Sequence, residues 1–300
     1  MLILTLAGAL VAALPQQQQQ QRYDTDTTVS VAVGTRLSLE NVGGEVTIRG
    51  WDRNQVRIQA SHSSRTAVGI RLSESVLRLS PRSSRSMGNM GGVVDYVLTV
   101  PAAMNIELGG LYADVIIEGT RGEIKVNTVE GNISVKGGGG SLELSTVNGK
   151  IDVSGANGRL NLRAVSDDIA VSDMQGEVLA ETVSGDVVLT RVDGRRVEAQ
   201  TVSGDVRFDG ALRNDGIYSL LTHSGDITVG IAENANVLVQ TAVANGDVSA
   251  SFGLPTSERS SRRRQQFRFG AGSASLELET FSGDINLVRP SEIRTRNREE

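Results

Sequence analysis

Asp168, Asp186, Asp205, Asp226 and Asp247 recur at steps of 18 to 21 residues, and Asp284 follows in the same local phrase. Aligned along one edge of a fold, neighbouring carboxylates would repel by about 1 kcal/mol per pair in water. Three devices could relieve that: outward fanning, hydrogen bonds within the turns, or a bound cation. Asp186, Asp205, Asp226 and Asp247 are therefore the candidate Ca²⁺ ligands. Calcium β-rolls, however, need Gly-Gly-x-Gly-x-Asp in both half-turns. The opposite turns here, at 136–140, 154–158 and 190–194, vary in sequence, and Lys150 interrupts the column, where it would pair with Asp168. The stronger reading is a structural turn residue, with no cofactor and Ca²⁺ as the lesser alternative.

Other reactive groupings are sparse. Arg259, Arg262, Arg263, Arg264 and Arg268 form a basic cluster that could meet anionic headgroups or polysaccharide; as a solvated loop it needs no ligand. His62 and His223 are far apart in sequence and make no metal pair. His223 replaces the valine of other repeats and reads as a corner residue. No nucleophile elbow, Walker A loop or His/Asp/Ser grouping is present, so no catalytic residue is assigned. A carbohydrate-active route stays open, because β-helix lyases and hydrolases work with Asp, Lys and Arg on an outer face. Against it, the repeats are too short to carry the long loops that wall a cleft.

The elements that position the aspartates are repeats. Thr128-Val-Glu-Gly-Asn-Ile133 returns as Thr146-Val-Asn-Gly-Lys-Ile151, Ala164-Val-Ser-Asp-Asp-Ile169 and Thr182-Val-Ser-Gly-Asp-Val187, then as Thr201-Val-Ser-Gly-Asp-Val206 and Thr222-His-Ser-Gly-Asp-Ile227. A period near 20 residues marks a solenoid. Within one unit, Leu142, Leu144 and Thr146 alternate with polar residues, and so do Ile151 and Val153. That is two short strands with one apolar face each. Neither strand can bury its face alone, so the units must stack, with equivalent strands parallel at about 4.8 Å. Parallel crossovers are nearly always right-handed. The expected fold is all-β, a single-stranded right-handed parallel β-helix of about 18–21 residues per coil. Gly131, Gly149, Gly185, Gly204 and Gly225 are expected at positive φ, with Asp167 in the same conformation.

Composition agrees with a narrow aliphatic core: aromatics are 3% and glycines number 34 in 300 residues. A net charge of −5 gives no electrostatic case for nucleic acid. With no cysteine, disulfides, thiolate metal sites and a lipidated Cys anchor are excluded. Residues 1–14 form an apolar run too short to span a bilayer. The run reads as a signal peptide without a basic start, with Ala12 and Ala13 near a cleavage point. The mature chain would then have no transmembrane span and would be exported to the periplasm, outer surface or medium.

Six further segments are expected. They are a disordered Gln-rich spacer (15–27), diverged coils and a cap (28–110) with Trp51 as lid, and regular coils (111–252). A basic loop insertion (253–275) hanging off the side, a final coil (276–288) and a charged tail (289–300) complete the chain.

Three phrases carry a family resemblance: the Gly-Glu-Val-Thr-Ile-Arg-Gly-Trp-Asp run ending at Asp52, the Tyr96-Val-Leu-Thr-Val-Pro101 strand, and the serial Thr-Val-Ser-Gly-Asp-Val coils. Over residues 28 to 290 the chain resembles the DUF4097 family, adhesin-class β-helix proteins of the bacterial envelope. The resemblance implies an exported, non-enzymatic protein presenting an extended surface to a protein or polysaccharide of the envelope or exterior. It carries no catalytic residues. The alternatives are the carbohydrate-active enzyme and a periplasmic regulatory module.

Overall fold

The Leu-x-Leu and Ile-x-Val segments become separate strands because a tight turn lies between them, with Gly at its centre in every quoted repeat but the one carrying Asp167. In the computed structural model, which describes residues 24–83, 92–255, 259–260 and 263–296, like residues lie directly over one another. Ile151 pairs in parallel with Ile133 on one side and with Ile169 on the other. Leu142 pairs likewise with Ile124 and Leu160. The inward residues of both ladders are buried, and they form one aliphatic core running the length of the stack. The fold is an all-β solenoid. The expected leader, residues 15–23 of the Gln-rich spacer, 84–91 of the 81–92 loop, Arg262 and residues 297–300 of the tail lie outside the described residues.

Threonine carries a second ladder inside the first. Thr146, Thr182, Thr201, Thr222 and Thr280 are buried. Each donates its hydroxyl to the turn carbonyl of the layer below: Gly131, Asp167, Gly185, Gly204 and Gly225 respectively, at 2.9–3.2 Å. A buried carbonyl on the inner side of a tight turn needs such a donor. β-Branching suits Thr to the strand, and its hydroxyl adds a bond between layers; Val243, paired with Thr280, keeps the branching without the bond. Ala164, like Val243, can supply no such donor, and Thr128 donates instead to the Glu130 carbonyl of its own turn at 3.1 Å.

Both ends depart from chain order. Strand Arg36–Trp51 lies between two later segments: its 36–39 part pairs with 76–79 on one side and its 37–41 part with 106–110 on the other. Its second half is held likewise between 96–101 and 112–118. At the far end, strands Ala274–Ser282 and Ile285–Val288 slip between 217–230 and 237–250. The coil expected last is therefore not the terminal layer.

Antiparallel strands close each end. Gln55–His62 covers Val94–Pro101, and Thr25–Ser30 covers Gln55–His62 in turn, so residues 25–27, expected as disordered spacer, are strand. Arg264–Phe269 pairs antiparallel with Val237–Asn245. The basic insertion thus supplies an end strand and does not hang off the side. Trp51, half-buried within an inner layer, is not the lid; its indole N–H donates to the Gln55 carbonyl at 2.7 Å and Arg53 sits over its ring. In the tail, Pro290–Arg296 is a short helix whose Ile293 is buried beside Gly230.

Candidate functional site

The aspartate column forms as expected but with different partners. Each Oδ1 accepts the backbone N–H of the column residue one layer on: Asp168 from Asp186, Asp186 from Asp205, Asp205 from Asp226, Asp226 from Asp284 and Asp284 from Asp247, at 2.7–2.9 Å. A hydrogen bond to an ionised acceptor contributes about 1.5–3 kcal/mol, more than the ~1 kcal/mol repulsion between exposed neighbours. The interlayer bonds therefore outweigh the repulsion along the column. Arg207 adds a cation beside Asp205 (3.3 Å) and Asp186 (3.9 Å). Among the described residues, no three His, Cys, Asp or Glu side chains gather closely enough to hold a metal ion.

Asn132 serves the same purpose as an aspartate, taking the Lys150 N–H at 2.9 Å. Lys150 cannot accept a hydrogen bond, and the expected Lys150–Asp168 ion pair does not form. Replacing Lys150 with Asn should supply the missing acceptor for the Asp168 N–H. We expect a gain of about 1 kcal/mol, measured as a melting rise of about 2–4 °C; an unchanged or lower melting temperature would refute the ladder's energetic role.

Two of the glycine expectations need correction. Gly131, Gly149, Gly204 and Gly225 have positive φ, but Gly185 and Asp167 do not. Gly185 is required by contact instead: a Cβ there would lie 2.3 Å from the Asp167 carbonyl oxygen of the layer below. The left-handed non-glycine residues are on the opposite side, at Asp173, Arg191 and Asp215. Arg191 grips Asp173 with two hydrogen bonds of 2.6 Å, and this guanidinium holds the carboxyl below its usual range.

The two histidines are separate, as expected. His62 is tied to Thr25 (2.9 Å) in the end cap. His223 stacks on Phe281 of the next layer, with ring centroids 4.8 Å apart and planes 8° from parallel. Of the arginine cluster, Arg263, Arg264 and Arg268 are exposed around the end strand.

The feature sequence reasoning missed is the residue after each threonine. Val129, Val147, Val165, Val183 and Val202 are 40–47% exposed, one per layer, and His223 and Phe281 continue the line. Leu111 extends it at the other end. The part of this stripe from Val165 to Phe281 lines a shallow groove of about 670 Å³. Arg163 and Glu181, paired at 2.9 Å, rim it, and Gln200 donates to Glu181 at 2.6 Å. The signal was present in the repeated Thr-Val-Ser-Gly-Asp phrase, since a valine adjoining an inward threonine must point outward.

The parallel aliphatic layers, the Gly-Asp turns and the capped ends coincide with a sequence match to the family model Toastrack DUF4097 across residues 34–288. The chain belongs to the Toastrack DUF4097 family. No curated protein matches this Toastrack chain in sequence. Solved structures resemble it in fold. A "putative lipid binding protein" from Parabacteroides distasonis ATCC 8503 is 12% identical, covering 88% of this chain and 96% of that one, with a TM-score of 0.48. A "putative adhesin" from Bacteroides fragilis NCTC 9343 has the same identity and coverages, with a TM-score of 0.42. A "putative cell adhesion protein" from Clostridium sporogenes ATCC 15579 is 13% identical over 88% and 99% of the two chains, with a TM-score of 0.23. No helix among the described residues of this Toastrack protein is long and apolar enough to cross a membrane.

Proposed function

We propose that this Toastrack protein is a non-enzymatic, exported binding or scaffold protein of the cell envelope, adhesin-like in action, wound as a right-handed β-helix. The observation that carries the reading is the exposed apolar stripe. A contiguous apolar surface with a paired polar rim has the make-up of a contact surface, and here a rigid stack holds it straight. The turn carboxylates and ion pairs are occupied in joining layers, which leaves the stripe as the surface with unspent burial energy. Export rests on the apolar run at residues 1–14. The partner is a protein or polysaccharide of the envelope or exterior.

The test is retention of the purified protein on envelope fractions of its host, compared with the double variant Val183→Asp/Val202→Asp. Both positions are exposed, so the variant should fold with an unchanged circular dichroism spectrum. We expect retention to fall at least tenfold. Equal retention of a folded variant would remove the stripe from the binding surface.

A further inference from the structure

The occupant of the stripe can be narrowed by its spacing. We propose that two copies of this chain pack stripe to stripe as a weak two-fold dimer. This rests on the reading of the stripe as a contact surface and names its partner. Backbone pairing fixes successive stripe residues at about 4.8 Å, and Leu111 to Phe281 spans consecutive layers without a break. A partner that buries every rung must present apolar groups at that spacing. An α-helix advances about 5.4 Å per turn, so it slips by half a rung after about four layers. Another copy of this solenoid is in register by construction.

Area and charge agree with that occupant. The exposed parts of the stripe side chains amount to about 500 Å² per copy, so a pair buries roughly 1,000 Å², the lower end for a specific interface. An interface of that size belongs with weak, transient contacts and not with obligate dimers. Arg163 and Glu181 neutralise each other at the rim, and the rungs from Val129 to Val202 carry no charge. The like charges that a two-fold pairing of this patch must hold apart are Glu279 at the groove's edge and Glu130 beside Val129. The His223–Phe281 stack places aromatic surface at one end, the residue class enriched in interfaces.

Sedimentation velocity of the full chain across about 1–100 µM tests the proposal, since it brackets a micromolar Kd. The expected result is a monomer–dimer equilibrium whose Kd rises at least tenfold in Val183→Asp. Val33→Asp serves as control: Val33 is 88% exposed and lies off the stripe, so this variant should dimerise as the parent does. A monomer throughout, or a dimer insensitive to Val183→Asp, would overturn the proposal. So would a monomer that binds phosphatidylcholine–phosphatidylglycerol vesicles through Val183, which would assign the stripe to lipid. A monomer that still loses envelope retention in Val183→Asp/Val202→Asp sinks the dimer and leaves the envelope reading standing. A dimer whose parent form is not retained does the reverse.

Discussion

Gly149→Ala should cost about 3 kcal/mol or more, although it adds one methyl group to a turn. The residue sits at φ +151°, and its new Cβ would lie 2.1 Å from the Gly131 carbonyl oxygen of the layer below. Backbone strain of this kind costs about 1–3 kcal/mol. Relieving the contact by parting the layers would stretch the flanking bonds, Gly131 N–H to the Asn148 carbonyl and Ile133 N–H to the Lys150 carbonyl, both 2.9 Å. Each is worth roughly 1 kcal/mol. Gly109 provides the comparison, since nothing lies within 4 Å of a Cβ there and its φ is not positive. Gly109→Ala should stay within about 0.5 kcal/mol of the parent. Urea unfolding of both variants decides the matter, and equal midpoints would show that layer contact does not govern these glycines.

Phe208→Ala carries the other large effect. Phe208 is fully buried in a ladder between Leu189 and Val229, and its ring centroid is 5.7 Å from that of Tyr218. Emptying this site should cost about 4 kcal/mol, the usual range for a buried Phe. Phe208→Leu should cost only about 1 kcal/mol, because the same ladder already accepts Leu189. The cavity also loosens Tyr218, whose hydroxyl accepts the Arg213 N–H at 2.7 Å and donates to the Gly194 carbonyl at 2.8 Å. These bonds tie down the outward excursion that lengthens this repeat. Equal losses from Ala and Leu would mean that ring shape, not filled volume, stabilises the layer.

Much of this architecture was legible in the sequence. The 18-residue step placed Ile133, Ile151 and Ile169 in contact because a fixed step and an alternating apolar pattern leave a stack as the way to bury both strands. The turn aspartates were legible as hydrogen-bonding groups. Their partners were not: the acceptor serves the next layer's N–H, which local turn chemistry does not indicate. The end layers were hidden for a related reason. A repeat records what a layer must present to a neighbour but not which neighbour it is, so 36–51 and 274–288 fit as well out of order as in order. The apolar stripe was visible in every Thr-Val pair, yet a corner valine invites no explanation until its exposure is seen to recur on successive layers.

The interleaved end layers bear on how such a protein can change size over evolutionary time. Strand Arg36–Trp51 is clamped by segments from both sides of it in the stack, and 274–288 is clamped at the other pole. A unit gained or lost at either terminus would break a clamp. Between about residues 120 and 216 each layer instead meets its predecessor and successor in simple order. Copies can be duplicated or excised there while both poles keep their partners. Relatives of different length should therefore differ in their middles, with the two poles inherited as fixed fittings.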